Sequence, residues 1–405
     1  MIKKRPAAAL SALLCALMLL ALTGCGRGVA SDHPDRTEFV SVAELKIDAV
    51  SETASYSGPE YMDGTVCVYD SFVTDPYGST RYGTGEPGVT TPMVLDLQTG
   101  EVRELGISFP YVLENGRWFN LDPYQELYWY RDGLWYLILE RSYFSWGIYT
   151  FDQATGELAP FLAEIPNCFS VDSILLADDT LYLTTATVVF FALQAVDLNT
   201  GEVTELARFE NPKFSETTHM ILLECTEQTL YLKEESEQST LRGADGPTSY
   251  DGDAHVFRIY AVDRTSGEVT ATTMWLNSCS MSNACGRLLC FVDPVKKAVK
   301  TVDLVTGAVH QAVQEKELIR VSDAAVCGRV LVEVNGGAYL YDLESGESFP
   351  IPYCGFDIVR LVRETPSHVI FTVRTENGVN DWVADRSAFE DGRMDETNTF
   401  RLTDR

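Results

Sequence analysis

The chain has 405 residues, 45% hydrophobic and 11% aromatic, which is ample material for a large core. Its formal net charge is −28, from 59 acidic residues against 31 Lys and Arg. That balance excludes nucleic acid as a partner, since phosphate binding needs a basic face, and it disfavours adsorption of the folded part to anionic lipid.

Residues 1–24 read as a targeting segment. Lys3, Lys4 and Arg5 make a positive start, and Ala7 to Leu22 form an apolar run broken only by Ser11. The run is short for a bilayer span. Leu22-Thr-Gly-Cys25 then resembles the lipobox of bacterial lipoproteins, which implies cleavage behind Gly24 and lipid on Cys25. Ordinary secretion and a retained anchor helix are the alternatives. Two or more acyl chains hold a protein stably at a bilayer. The expected address is therefore the extracytoplasmic side of a cell membrane, reached through the lipid. Residues 25–36 form a short polar tether, and residues 37–405 are expected to form one domain. Its first runs, around Phe39 and Ile47, alternate as strands do.

From there one phrase recurs. An apolar strand ends in Asp-x-x-Thr/Ser-Gly, and a second strand leaves the turn. The copies pair Asp96 with Gly100, Asp152 with Gly156, Asp197 with Gly201, Asp263 with Gly267, Asp303 with Gly307 and Asp342 with Gly346. Asp can accept backbone N–H bonds from the residues that follow it, and Gly supplies a positive φ. These twelve residues are therefore structural. Each copy is preceded by another apolar strand with its own turn, as at Leu134-Trp-Tyr-Leu137, Leu181-Tyr-Leu183 and Leu230-Tyr-Leu232. A seventh, longer copy starts at Val369 and ends at Thr403. A unit of about 40 residues with variable insertions marks a repeat architecture. All-β units of that size predict a β-propeller of four-stranded blades, seven by this count, with six or eight as alternatives. Residues 37–57 are the candidate strand that completes the last blade and closes the ring.

Two insertions, Asp70–Thr91 and Glu234–His255, fall between the second and third strands of their blades. Blade topology puts both on one face, the usual place for binding; tolerated surface drift is the alternative reading. Aromatics crowd residues 109–151. Trp118, Phe119, Tyr143, Phe144 and Trp146 fall in predicted connections, and Tyr250 lies in the second insertion. Exposed there, they would stack on sugar rings or anchor a protein; the alternative is that they pack the loops down.

The five histidines show no metal-ligand spacing, and the sequence has no nucleophile elbow and no phosphate loop. Asp251-Gly-Asp-Ala-His255 lacks the spacing of a calcium loop. No metal or cofactor is expected. Of the cysteines beyond Cys25, Cys67, Cys225 and Cys290 sit in apolar strand-like runs where a thiol packs as a small hydrophobe, while Cys279 and Cys285 are the pair nearest to a plausible bridge. Mostly free thiols are expected.

The repeat resembles that of PQQ-like bacterial propellers, which reads Ala-x-Asp-x-x-Thr-Gly followed by a docking Trp. The Asp and Gly match here; four residues after each Gly stand Glu104, Pro160, Glu205, Ala271, Gln311 and Pro350 in place of that Trp. The missing Trp argues against the quinone-dependent dehydrogenase branch. The resemblance implies a non-enzymatic, extracytoplasmic propeller lipoprotein; the insertion face then leads to the expectation of a monomer that binds a protein or glycan partner. A carbohydrate-active enzyme with carboxylates near the axis and an envelope assembly factor are the alternatives.

Overall fold

The computed structural model describes residues 54–62, 66–73, 89–97, 101–106, 111–114, 117–120, 129–142, 145–210, 218–237, 240–243, 246–249, 255–314, 318–334, 337–376 and 378–401. Within them the chain builds seven antiparallel meanders in sequence order. The first sheet holds β1 (Ala54–Met62), β2 (Val66–Val73), β3 (Val89–Asp96) and β4 (Val102–Glu104). A hairpin of β5 (Tyr111–Glu114) and β6 (Arg117–Asn120) follows. The second sheet holds β7 (Trp129–Arg131), β8 (Leu134–Ser142), β9 (Ser145–Asp152) and β10 (Glu157–Leu162). The third holds β11 (Ser170–Ala177), β12 (Thr180–Ala186), β13 (Phe190–Asp197) and β14 (Val203–Glu210).

In the fourth sheet, β15 (Thr218–Cys225) and β16 (Thr229–Glu237) are separated from β19 (His255–Asp263) by a second hairpin, β17 (Thr240–Gly243) with β18 (Gly246–Ser249). β20 (Val269–Ala271) and β21 (Leu276–Ser278) both pair with β19. The fifth sheet holds β22 (Ser280–Cys285), β23 (Leu288–Asp293), β24 (Ala298–Asp303) and β25 (Val309–Gln314). The sixth holds β26 (Leu318–Val326), β27 (Arg329–Val334), β28 (Gly337–Asp342) and β29 (Ser348–Pro350). The seventh holds β30 (Ile358–Glu364), β31 (His368–Thr375), β32 (Gly378–Asp385) and β33 (Thr399–Arg401), with helix α1 (Arg386–Glu390) inside its last connection.

Side chains alternate across each strand, so a sheet buried on both faces deals its residues to two neighbours. The second strands show this plainly. Leu181 and Leu183 enter the cluster shared with the second sheet, and Tyr182 the one shared with the fourth. Leu289 and Phe291 face the fourth sheet, Cys290 and Val292 the sixth. Val369 and Phe371 face the sixth, and Ile370 the first. That is why these strands read as unbroken apolar runs.

Following the clusters from sheet to sheet returns to the start. The seventh and first sheets meet through Ile370, Val383, Leu95 and Leu97, all buried. The first strands also touch from the third sheet round to the first: β11 with β15, β15 with β22, β22 with β26, β26 with β30 and β30 with β1. The seven sheets therefore form a closed ring, with those strands innermost. Among the described residues no strand is exchanged between the first and last sheets: Ala54–Met62 is the innermost strand of the first sheet, and β33 completes the last. Of the segment expected to complete the last blade, residues 54–57 belong to β1 of the first sheet, and residues 37–53 lie outside the described residues. Among the described residues the ring closes through the apolar contact between the two end sheets.

The repeat turns join the third and fourth strands, as the sequence predicts. Asp197 Oδ1 accepts from the backbone N–H groups of Asn199 (2.7 Å) and Thr200 (3.0 Å), and Gly201 N–H donates to the Asp197 carbonyl (2.8 Å). Asp263, Asp303 and Asp342 repeat the pattern. Backbone donors hold the carboxyls of Asp197 and Asp263 below the ordinary value of 3.8.

Among the described residues the inner strands lack a partner on their axial side, and all but β7 carry a register shift. Neighbouring side chains satisfy the backbone groups this leaves. Ser173 Oγ accepts from Leu222 N–H (2.6 Å), Ser280 Oγ from Val321 N–H (3.0 Å) and Asn283 Oδ1 from Ala325 N–H (2.6 Å).

Candidate functional site

The described residues enclose a cavity of about 670 Å³ between the sixth and seventh sheets, and a second of about 410 Å³ continues it. The two share Arg320, Leu331, Glu333 and Val359. Arg320 and Arg360 sit near the starts of β26 and β30, Glu333 near the end of β27, and Asn380 near the start of β32. Those strand ends belong to the face that carries connections from second to third strands and from one sheet to the next. The hairpin β17–β18 lies in a connection of the first kind and β5–β6 in one of the second. The cavity therefore opens on the insertion face.

Its polar wall is partly self-satisfied. Arg320 Nη2 donates to Glu333 Oε1 at 2.9 Å. That bond, with the nearby Glu333 charge and a smaller pull from Asp323, raises the Arg320 pKa further above its ordinary value. The Thr372 hydroxyl donates to Asp381 Oδ1 at 2.6 Å, and Arg401 Nη2 donates to Asn380 Oδ1 at 2.5 Å. Arg374, on the smaller lobe, lies 4.0 Å from Asp357. Arg360 is exposed and has no hydrogen-bond or ion-pair partner among the described residues. The aliphatic part of the lining is Val321, Leu331, Val359 and the exposed Val379.

One carboxyl near the axis behaves differently. Burial pushes the pKa of Asp172, on β11, above the ordinary value; a bond from Met220 N–H (3.2 Å) and the nearby His219 offset part of this. Asp172 thereby ties the third sheet to the fourth, and neither lobe of the cavity reaches it.

The predicted aromatic face fares unevenly. Trp146 does not face solvent: it is 5% exposed, lies inside β9, and packs with Ile148, Ile165 and Cys168 against the third sheet. Its indole N–H donates to the Phe169 carbonyl at 3.0 Å. Strand parity is the cause, because β8 runs to Ser142 and β9 resumes at Ser145, which turns Trp146 inward with Ile148. Trp118 and Phe119 fall on β6. Tyr143, Phe144, Tyr250 and Cys25 lie outside the described residues, as does Gly100. The other repeat-turn residues stand where predicted. Cys279 and Cys285 form no bridge, and burial raises the pKa of both thiols.

Sequence reading passed over Arg320, Asp323 and Arg360. A signal was present: charges interrupt the otherwise apolar inner strands at Arg320-Val-Ser-Asp323 and Val359-Arg-Leu-Val-Arg363. Only the packing of β26 beside β30, in the next sheet, shows that these charges share one cavity.

No family model and no curated protein matches the chain. Solved structures do share its fold. The β-propeller domain of the Trilobed protease from Pyrococcus furiosus matches at 13% identity and TM-score 0.50, over 88% of this chain and 97% of that one. An acylaminoacyl peptidase from Pyrococcus horikoshii matches at 14% and 0.50, over 87% of this chain and 53% of its own. A puromycin-hydrolysing peptidase from Mycobacterium tuberculosis matches at 13% and 0.51, over 86% and 53%. The chain thus spans about half the length of those two peptidases, and at such identity the likeness is one of fold. The Pyrococcus furiosus domain is described as having an open velcro topology; here, too, the first and last sheets exchange no strand among the described residues. By fold, the chain is a β-propeller, with seven sheets of four strands, five in the fourth, among the described residues.

Proposed function

We propose that this chain is a lipid-tethered, extracytoplasmic β-propeller that binds a partner through its insertion face without catalysing a reaction on it. The observation that carries this reading is the cavity between the sixth and seventh sheets. Its volume of about 670 Å³ suits a small-molecule site or the anchor point of a larger partner, and it opens on the face where both described hairpins are inserted. Two of its carboxylates are already engaged, Glu333 by Arg320 and Asp381 by Thr372. Hydrolysis of glycosides needs one carboxyl kept protonated and a second left free, so the wall suits recognition better. The tether rests on the lipobox-like Leu22-Thr-Gly-Cys25.

The test is a screen of the full chain against a glycan array and against envelope proteins, repeated with Arg320→Glu. The expected result is a ligand whose binding falls with that substitution, while the protein keeps its thermal midpoint. A ligand that binds unchanged, or one that is turned over, contradicts the reading. Cys25→Ser should release the protein from membranes, and retention there removes the tether.

A further inference from the structure

We propose that the cavity takes a zwitterion, a free amino acid or a short peptide with both termini unblocked. This rests on the binding reading above and names the ligand class. Once Arg320 is assigned to Glu333 and Asp381 to Thr372, two charged groups remain at the wall without a hydrogen-bond partner, Arg360 and Asp323. They stand on adjacent inner strands, β30 and β26, and both are exposed.

The two groups have opposite sign. A guanidinium meets a carboxylate as a two-pronged donor, and a carboxylate is a natural acceptor for an ammonium group. A ligand carrying both charges satisfies the pair; a purely anionic one meets Asp323 as a repulsive neighbour, and a purely cationic one meets Arg360. The same wall carries Val321, Leu331 and Val359, aliphatic surface suited to the side chain of such a ligand. Among the described residues neither lobe is lined by an aromatic ring, so a pyranose would find no stacking platform here. The smaller lobe, with Arg374 and Asp357 at its edge, gives a chain longer than one residue room to continue.

The experiment is calorimetric titration of the detergent-solubilised full chain with Leu-Leu, with its N-acetyl derivative and with its C-terminal amide. The free dipeptide should bind, and blocking either end should weaken binding about tenfold, the worth of one charge-assisted hydrogen bond. Arg360→Gln should erase the preference for the free carboxylate over the amide, and Asp323→Asn the preference for the free amine over the acetylated form. Both side chains are exposed, so the variants should keep the wild-type thermal midpoint. Equal binding of all three peptides, binding of none, or preferences that survive in the variants would overturn the proposal. A glycan or protein hit from the wider screen that depends on Arg320, with no response to the dipeptide, would leave the general reading standing and remove this one.

Discussion

In each described copy of the repeat turn one aspartate oxygen gathers backbone donors, while the glycine beyond it holds a positive φ, near +70°. The glycines are nevertheless not equivalent. At Gly156 a methyl group would meet nothing within 4 Å. At Gly307 it would stand 1.9 Å from the Thr272 carbonyl oxygen, and at Gly267 2.1 Å from that of Leu206. Both carbonyls belong to the preceding sheet, so these turns lean on the neighbour's outer edge. Gly156→Ala should therefore cost about 1 kcal/mol, the strain of a positive φ alone. Gly307→Ala should cost about 2–5 kcal/mol, because backbone must move apart as well. Thermal unfolding of the two variants checks this, and equal losses would contradict it. The turn chemistry was legible in sequence because Asp and Gly act within six residues of each other. The crowding at Gly267 and Gly307 was not, since it depends on a carbonyl more than thirty residues away.

At the scale of elements, strands buried on both faces explain the apolar runs, and strand parity decides which neighbour each residue meets. Parity was also where the reading of Trp146 went astray. Tyr143 to Trp146 looks like an aromatic loop until the strand limits are known; β9 begins at Ser145, and inside a sheet covered on both faces Trp146 becomes a core ring. The seventh sheet shows a different device. Its last connection holds α1 in place of the short turn, and Arg329 of β27 reaches across to it. The guanidinium donates to Tyr353 Oη (2.8 Å) and to the carbonyls of Phe389 (3.0 Å) and Glu390 (2.9 Å). Arg329 is 7% exposed, and Asp342 lies 3.6 Å from its Nε. Phe389, fully buried, plugs the cluster between the sixth and seventh sheets. Arg329→Leu should strand these acceptors in the interior and cost about 3–5 kcal/mol. Urea unfolding measures it, and a loss below about 1 kcal/mol, typical of an exposed pair, would show that the arginine is not the anchor of α1.

At the scale of the molecule, seven units legible as repeats became seven sheets, and the ring they form follows from their two-sided apolar faces. How it closes was not legible. Apolar strands with two buried faces recur in every unit, and only the placing of Leu95 and Leu97 against Ile370 and Val383 shows that the end sheets meet. The cavity belongs to this scale as well, since its wall comes from two sheets and its charges from two inner strands. Among the described residues the seam between the end sheets is held by side chains, so its strength rests on those contacts. The most direct test is a double-mutant cycle across the seam, Leu95→Ala with Ile370→Ala, followed by urea unfolding. Each single change should cost about 2–5 kcal/mol. A closed ring predicts that the pair departs from additivity by about 0.5–3 kcal/mol, because both side chains fill one cluster. Losses that add to within about 0.5 kcal/mol would mean that the end sheets do not meet, and would contradict the ring.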